Sequence, residues 1–151
     1  MSNRKKIAIL ADPLDRQSAG IYVYLKMLSL GLSELGEFEY HLIRNGRKKT
    51  NYGLQNVYIP SVGFPVSILY RKWVQIPIFV RKNNYDAVIE PAHFGPFNLP
   101  DSIKRITIIH DLTPILYPEY HPNYSSISQR LFLPRIIQKS MTTASVSPAV
   151  A

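Results

Sequence analysis

The apolar residues of this chain fall into short β-branched runs and longer stretches with helical spacing. Short continuous apolar runs are typical of strands that helices cover on both faces of a sheet. Six such runs predict strands, at residues 6–11, 38–43, 57–59, 85–90, 106–109 and 142–146.

The longer stretches predict three helices, because their apolar residues recur every three or four positions. The first helix is predicted to stop at Gly36, since glycine commonly ends helices. Its apolar face consists of Ile21, Leu25, Leu28, Leu32 and Leu35. The polar residues 12–20 that precede it are predicted to form a loop.

The second helix is predicted over residues 65–80 and the third over residues 125–140. Proline lacks an amide donor, so Pro77 is expected to kink or end the second helix and Pro134 to interrupt the third. One side of the second helix is predicted to carry Ile68, Leu69, Trp73, Ile76 and Val80. The apolar positions of the third are Ile127, Leu131 and Ile137.

Strands that alternate with helices predict an α/β, Rossmann-like fold, with a mostly parallel sheet and helices on both faces. The length of 151 residues suits one such domain. No internal repeat or linker divides the sequence, so we expect residues 1–151 to form a single domain.

Composition restricts the chemistry. The chain has no cysteine, which excludes disulfides and thiolate metal sites. The histidines at positions 41, 93, 110 and 121 are too scattered to argue for zinc. The first apolar run is too short for a signal-peptide core, and no run approaches the roughly 18 apolar residues that span a bilayer. A cytoplasmic location is compatible with these features.

The formal net charge of +8 favours an anionic partner: phosphate, nucleic acid or an anionic membrane surface. The basic residues are spread in pairs, which are usually solvated, and no RNA- or DNA-binding motif is present, so nucleic acid is disfavoured. The stretch from Ile68 to Lys82 combines apolar, aromatic and basic residues and could lie on a membrane. A core-facing helix whose basic side chains reach into solvent explains it more simply.

The strongest candidate for a functional site is His110-Asp111, where the fifth predicted strand ends and a proline-rich loop begins. Open α/β sheets bind ligands at the carboxyl ends of their strands. A match of two residues carries a high false-positive risk. The pair could equally be a polar turn, in which Asp111 caps the backbone and backbone groups satisfy His110.

Two further segments are expected at the same edge of the sheet. Gly20 precedes the first helix, where a helix N-terminus can receive a phosphate and a glycine lets a ligand approach the backbone. Alternatively, Gly20 only relieves a tight turn. Glu90 would lie at the end of the fourth strand with His93 three residues beyond it, although a loop histidine is more often structural or solvated. The three-glycine dinucleotide fingerprint is absent, which disfavours a nicotinamide or flavin site.

Together these residues resemble the N-terminal half of a GT-B glycosyltransferase of the large retaining family called glycosyltransferase group 1, or family 4. Three segments carry the resemblance, in the family's order, over nearly the whole chain. They are Gly20-Ile-Tyr-Val-Tyr-Leu-Lys, Ile106-Thr-Ile-Ile-His110-Asp111-Leu with Pro118-Glu-Tyr-His-Pro122 behind it, and Ala144-Ser-Val-Ser147. The middle segment is the most specific.

In that family the N-terminal domain binds the acceptor, and a C-terminal domain with a Glu-x7-Glu motif binds most of the nucleotide-diphosphate-sugar donor. These enzymes usually need no metal, and the resemblance implies no cofactor beyond the donor. The residue roles that it implies are a catalytic one for His110, donor-diphosphate contacts for Ala19 and Gly20, and acceptor or cleft contacts for Asp12, Glu90, His93 and Asp111.

The sequence departs from the family in two ways: only Gly20 stands where several glycines are common, and no Glu-x7-Glu segment is present. We therefore expect the acceptor-side half of a retaining sugar transferase, without its donor domain, that acts on a glycan or lipid-linked acceptor in the cytoplasm or at the inner face of the membrane. Alone, it is not expected to turn over. The alternative is a non-catalytic module that binds an acceptor or a partner chain. The exposed cleft face would also favour self-association.

Overall fold

Six short strands pair in parallel to form one sheet in the computed structural model of the chain. The strands are β1 (Lys6–Leu10), β2 (Glu39–Arg44), β3 (Gln55–Tyr58), β4 (Ala87–Glu90), β5 (Lys104–Ile109) and β6 (Thr142–Ser145). All six predicted strands are confirmed, with ends that differ by no more than two residues. The structure describes residues 4–17, 19–46, 50–62, 67–92, 95, 98–110, 116–120, 123–140 and 142–145.

The strand order is β3-β2-β1-β4-β5-β6, so the direction in which the chain adds strands reverses between β1 and β4. This is the order of a doubly wound Rossmann-like sheet, in which ligands bind beyond the carboxyl ends of the strands near the point of reversal. The register brings Ile9 of β1 level with Leu42 of β2 on one side and Ile89 of β4 on the other.

Helices cover the sheet on both faces. They are α1 (Asp12–Arg16), α2 (Ala19–Leu35), α3 (Ser67–Tyr70), α4 (Ile76–Lys82) and α5 (Asn123–Lys139). A π-helical turn, Arg71–Gln75, joins α3 to α4, and a 3₁₀ turn spans Pro118–Tyr120. As predicted, α2 stops at Gly36, whose φ of +60° is the left-handed conformation that glycine adopts easily.

Two apolar layers form the core because successive strand residues point to opposite faces of the sheet. On one face Ile7 and Ile9 pack with Leu25 of α2. On the other face Ala8 and Leu10 pack with residues of α4. The predicted α/β sheet with helices on both faces is therefore confirmed.

The prediction of a loop over residues 12–20 is wrong, because α1 forms within it and α2 already begins at Ala19. Asp12 and Asp15 lie in the first turn of α1, and Pro13 occupies its start. A proline is favourable there because the first helical amides have no intrahelical partner, and acidic side chains complement the helix dipole.

The second predicted helix is divided at the π turn, and residue 65 lies outside the described residues. Only Ile76 and Val80 of the predicted apolar side are fully buried, whereas Ile68, Leu69 and Trp73 are about two-fifths exposed. A π turn contains more residues than an α turn, so it shifts the phase of the face that follows it. Pro77 does not end the helical segment, which runs without a break from Ser67 to Lys82, but the α-helical pattern gives way to the π turn just before it.

The third predicted helix continues through Pro134, contrary to the expected interruption. The side chains that it buries are Leu133 and Ile136, whereas Leu131 and Ile137 are exposed. The helix packs against β5 on the side that contains Leu133 and Ile136. The side chain of Ile127 lies outside the described residues.

Candidate functional site

His110 is the first residue after β5 and lies at the carboxyl edge of the sheet. Its ring packs edge-to-face against Tyr24 of α2, with 4.9 Å between the ring centroids. The His110 Nε2 atom is buried and has no hydrogen-bond partner in the described part of the chain. Buried polar atoms are rarely left unsatisfied. The Nε2 atom of His110 is thus not satisfied by the described residues, and Asp111, the other half of the polar-turn alternative, lies outside them.

Gly20 is an exposed residue in the first turn of α2. Its φ is not left-handed, and a Cβ built on it would meet no protein atom within 4 Å. A left-handed backbone is therefore not the reason for a glycine here. The space beside its backbone is open, as the approach of a phosphate to a helix N-terminus requires.

Tyr24 connects Gly20 with His110. It lies one helical turn after Gly20, so both residues share one side of α2, and its ring contacts the imidazole. Burial raises the pKa of the Tyr24 hydroxyl above its ordinary value. His110 thus packs on α2 one helical turn after Gly20.

Glu90 lies on the other face of the sheet from Gly20, Tyr24 and His110. Strand alternation places its side chain on the face of Val88, whereas His110 lies on the face of α2. Glu90 is buried and its Oε1 accepts a hydrogen bond from the Ala92 amide at 3.1 Å. Its carboxylate also acts on Arg105: burial lowers the pKa of that guanidinium, and the charge of Glu90 opposes the shift.

Asp12 is engaged in an ion pair that spans the carboxyl edge. Its Oδ2 accepts a hydrogen bond from Arg71 Nη1 at 2.6 Å. The Arg71 Nε donates to the carbonyl of Ile59, just beyond β3. Asp12 Oδ1 and Arg71 Nη2 remain without a described hydrogen bond. Arg71 thereby ties the end of β1 to the end of β3.

A second buried arginine lies at the end of β2. Arg44 donates from Nε to Asp15 Oδ1 at 3.0 Å and from Nη2 to the same oxygen at 2.5 Å. Its Nη1 donates to Thr50 and Asn56. Asp15 also accepts from the Gly46 amide at 2.8 Å. We call these residues, Asp15, Arg44, Gly46, Thr50 and Asn56, the Arg44 cluster.

Three of the predicted site residues are only partly placed or not placed at all. His93 and Asp111 lie outside the described residues. Ala19 opens α2, next to Gly20, and its side chain is not described. The described part of the predicted site is therefore His110, Gly20 and the backbone of Ala19, with Asp12 and Glu90 held elsewhere.

His41, at the opposite edge of the sheet, provides a contrast to His110. Its Nδ1 shares a hydrogen bond with the Tyr85 hydroxyl at 2.6 Å, and its Nε2 lies 3.2 Å from the carboxylate of Glu39. Burial, with a smaller contribution from Glu39, raises the pKa of Tyr85 to about 12. The Nε2 atom of His41, like that of His110, has no described hydrogen bond, and the nearby carboxylate of Glu39 is what distinguishes the surroundings of His41.

The sequence analysis missed Tyr24, Arg44, Arg71 and Arg105. Arg71 and Arg105 belong to basic pairs that were expected to be solvated, yet both are almost completely buried. Of these four, only Tyr24 could have been found from the sequence, because it follows Gly20 by one turn of the predicted helix and so lies on the same side of it.

Among the described residues, no three carboxylate, imidazole or thiol side chains converge as a metal site would require. No helix in the same residues is both long and apolar enough to cross a bilayer. A groove at the amino end of β5, lined by Leu99, Ile103, Lys104, Arg105 and Ser140, lies away from His110.

The chain was compared with models of protein families and with curated proteins, and neither comparison found a match. The resemblance to GT-B transferases thus rests on the motifs, and the Rossmann-like sheet is compatible with it.

Proposed function

We propose that the chain is the acceptor-side domain of a retaining glycosyltransferase, which transfers a sugar from a nucleotide-diphosphate sugar to a glycan or lipid-linked acceptor. One observation carries the proposal. The imidazole of His110, whose buried Nε2 has no described hydrogen-bond partner, packs on Tyr24, one helical turn after Gly20, and Gly20 leaves the backbone at the start of α2 open.

This arrangement suits the chemistry of sugar transfer. The leaving group is a diphosphate, and a helix N-terminus offers amide donors and a partial positive charge to such an anion. Fixed donors and dipoles that face developing charge are usually a large term in catalysis. His110 Nε2 can hydrogen-bond to a hydroxyl of the transferred sugar. Asp12 and Glu90 take no part in this proposal because both are held on other contacts.

A lipid-linked acceptor would bring the domain to the inner face of a membrane. Four neighbouring apolar or aromatic side chains of α3 and the π turn support this part of the proposal, because each is about two-fifths exposed: Ile68, Leu69, Tyr70 and Trp73. Lys72 lies among them and suits an anionic surface.

The proposal is tested by titrating the chain with a nucleotide-diphosphate sugar and with inorganic pyrophosphate. Gly20→Leu fills the open space beside α2, and His110→Ala removes the imidazole. We expect each to raise the dissociation constant about tenfold or more, as the loss of a charge-assisted contact would. Gly20→Ala is the graded control and should fall between wild type and Gly20→Leu.

All three variants should keep a cooperative thermal transition, since alanine and leucine favour a helix more than glycine does and His110→Ala removes only one aromatic contact. Equal binding of the nucleotide sugar by wild type and Gly20→Leu would contradict the proposal. So would binding that depends on neither Gly20 nor His110.

A further inference from the structure

The outer face of α2 is unusually apolar for a surface helix. The helix has seventeen residues, of which only Lys26 and Glu34 are charged. Surface helices normally carry a polar face towards solvent, and a helix that is apolar all round is normally covered. The sheet covers only the side of α2 that contains Leu25 and Ser29.

The exposed side of α2 presents large apolar side chains. Val23 is 57% exposed, Met27 is 61% exposed and Leu35 is 65% exposed. Gly31 lies among them, and a Cβ built on it would meet no atom within 4 Å. No side chain therefore covers the backbone at this point of the exposed side.

The two charges of α2 lie symmetrically about Leu30, four residues before it and four residues after it. They are about 12 Å apart along the helix axis at 1.5 Å per residue, too far to pair with each other. Neither takes part in an ion pair among the described residues. In an antiparallel pair of such helices centred on Leu30, every lysine would face a glutamate.

We infer that α2 is the interface of a homodimer, in which two copies of the chain pack their α2 helices antiparallel about a twofold axis at Leu30. A twofold interface pairs residue i with residue j and residue j with residue i. Lys26 then faces Glu34 of the partner subunit, and Glu34 faces Lys26 of the partner subunit. The self-complementary charge pattern is the reason to choose a second copy over another partner.

The dimer leaves the proposed donor site accessible. Gly20 precedes Leu30 by ten residues, which is about 15 Å along the helix. His110 contacts α2 at Tyr24, nearer to the N-terminus of the helix than the proposed axis. The inference does not depend on the proposed function, since it uses only the outer face of α2.

Sedimentation equilibrium of the 151-residue chain tests the inference. We expect a concentration-dependent species at twice the 17.3 kDa mass of the chain. Lys26→Glu and Glu34→Lys each turn both cross-axis pairs into repulsions, and each should weaken the dimer about tenfold or more. Both residues are exposed, so neither change threatens the fold.

Two combinations of these charge reversals make the test more specific. The double variant Lys26→Glu/Glu34→Lys should restore the dimer, because exchanging both charges recreates the same pairs. An equimolar mixture of the two single variants should form a heterodimer, because one copy then carries two glutamates and the other two lysines. Restoration in both cases would be hard to explain by any other interface.

Lys82→Glu on α4 is the matched charge control and should leave the dimer unchanged. Met27→Asp should give a monomer, whereas Ile78→Asp, at an equally exposed position of α4, should not. A monomer at every concentration would overturn the inference, and so would a dimer that survives both single charge reversals and Met27→Asp.

Discussion

The Arg44 cluster and His110 both lie at the carboxyl edge of the sheet, but they differ in whether their nitrogen atoms have hydrogen-bond partners. In the Arg44 cluster every nitrogen of the guanidinium donates to Asp15, Thr50 or Asn56. At the end of β5, His110 has a buried nitrogen without a described partner, and its ring packs on Tyr24, one helical turn after the open backbone at Gly20. A charged residue at a sheet edge is therefore poor evidence for a binding site, because a chain can use such residues to hold its own loops.

The glycines of the two regions differ in the same way. A Cβ built on Gly46 would lie 3.1 Å from Cγ of Asp15, which the ion pair holds in place. A Cβ built on Gly20 would meet nothing within 4 Å. The packing of the chain itself therefore accounts for Gly46, whereas Gly20 leaves room for a ligand. Four substitutions separate these two roles.

Arg44→Met should have the largest effect. It leaves the mostly buried carboxylate of Asp15 without its partner, which costs about 3–5 kcal/mol of unfolding free energy. Urea denaturation measures this loss. The double variant Arg44→Met/Asp15→Leu should recover much of it, because no buried charge then remains uncompensated. A loss below about 1 kcal/mol in the single variant would show that the pair is effectively solvated.

Gly46→Ala should lower the unfolding free energy by about 1 kcal/mol or somewhat more, because the added methyl presses on Asp15 and overpacking is destabilising. Urea denaturation of this variant in the Asp15→Ala background provides the control. The penalty should shrink there, since the crowded carboxylate is gone. An unchanged penalty in that background would point to a cause other than Asp15.

His110→Ala should lower the unfolding free energy by about 1 kcal/mol, the size of one aromatic contact. Thermal or urea unfolding measures the change, with Tyr24→Leu as the control that removes the same contact from the other side. In an enzyme that joins this domain to a donor domain, as proposed above, the same change should lower turnover sharply. Turnover that is unaffected would remove His110 from the catalytic site.

Gly20→Ala should have the smallest effect and the opposite sign. Alanine favours a helix over glycine by up to about 1 kcal/mol, and nothing obstructs the added methyl. The expected gain of about 0.5 kcal/mol is within reach of careful denaturant titrations. A clear loss of stability would mean that the chain itself needs the glycine, which would weaken its assignment to a ligand.

The sheet and α2 could be predicted because their apolar patterns are local. Ile7 to Leu10 and the leucines of α2 show strand and helix periodicity without reference to the rest of the chain. The position of His110 at the carboxyl edge followed from the same reasoning. Its orientation did not, since the contact with Tyr24 depends on how α2 is rotated on the sheet.

The buried arginines could not be predicted, because burial of a charge requires a partner that folding supplies. Asp15 lies 29 residues from Arg44 along the chain, and Asp12 lies 59 residues from Arg71. Without those carboxylates an arginine pattern indicates a solvated position. Because Asp12 forms such a long-range pair with Arg71, it does not join the residues around His110 as the sequence predicted.

The most direct test of the central claim is to map binding onto the chain by amide and imidazole NMR shifts during titration with a nucleotide-diphosphate sugar. Our account predicts the largest changes at Ala19, Gly20 and the His110 ring, with the resonances of the Arg44 cluster nearly unmoved. Changes confined to the Arg44 cluster or to the groove beside Arg105 would contradict the account, and so would the absence of any change at millimolar ligand.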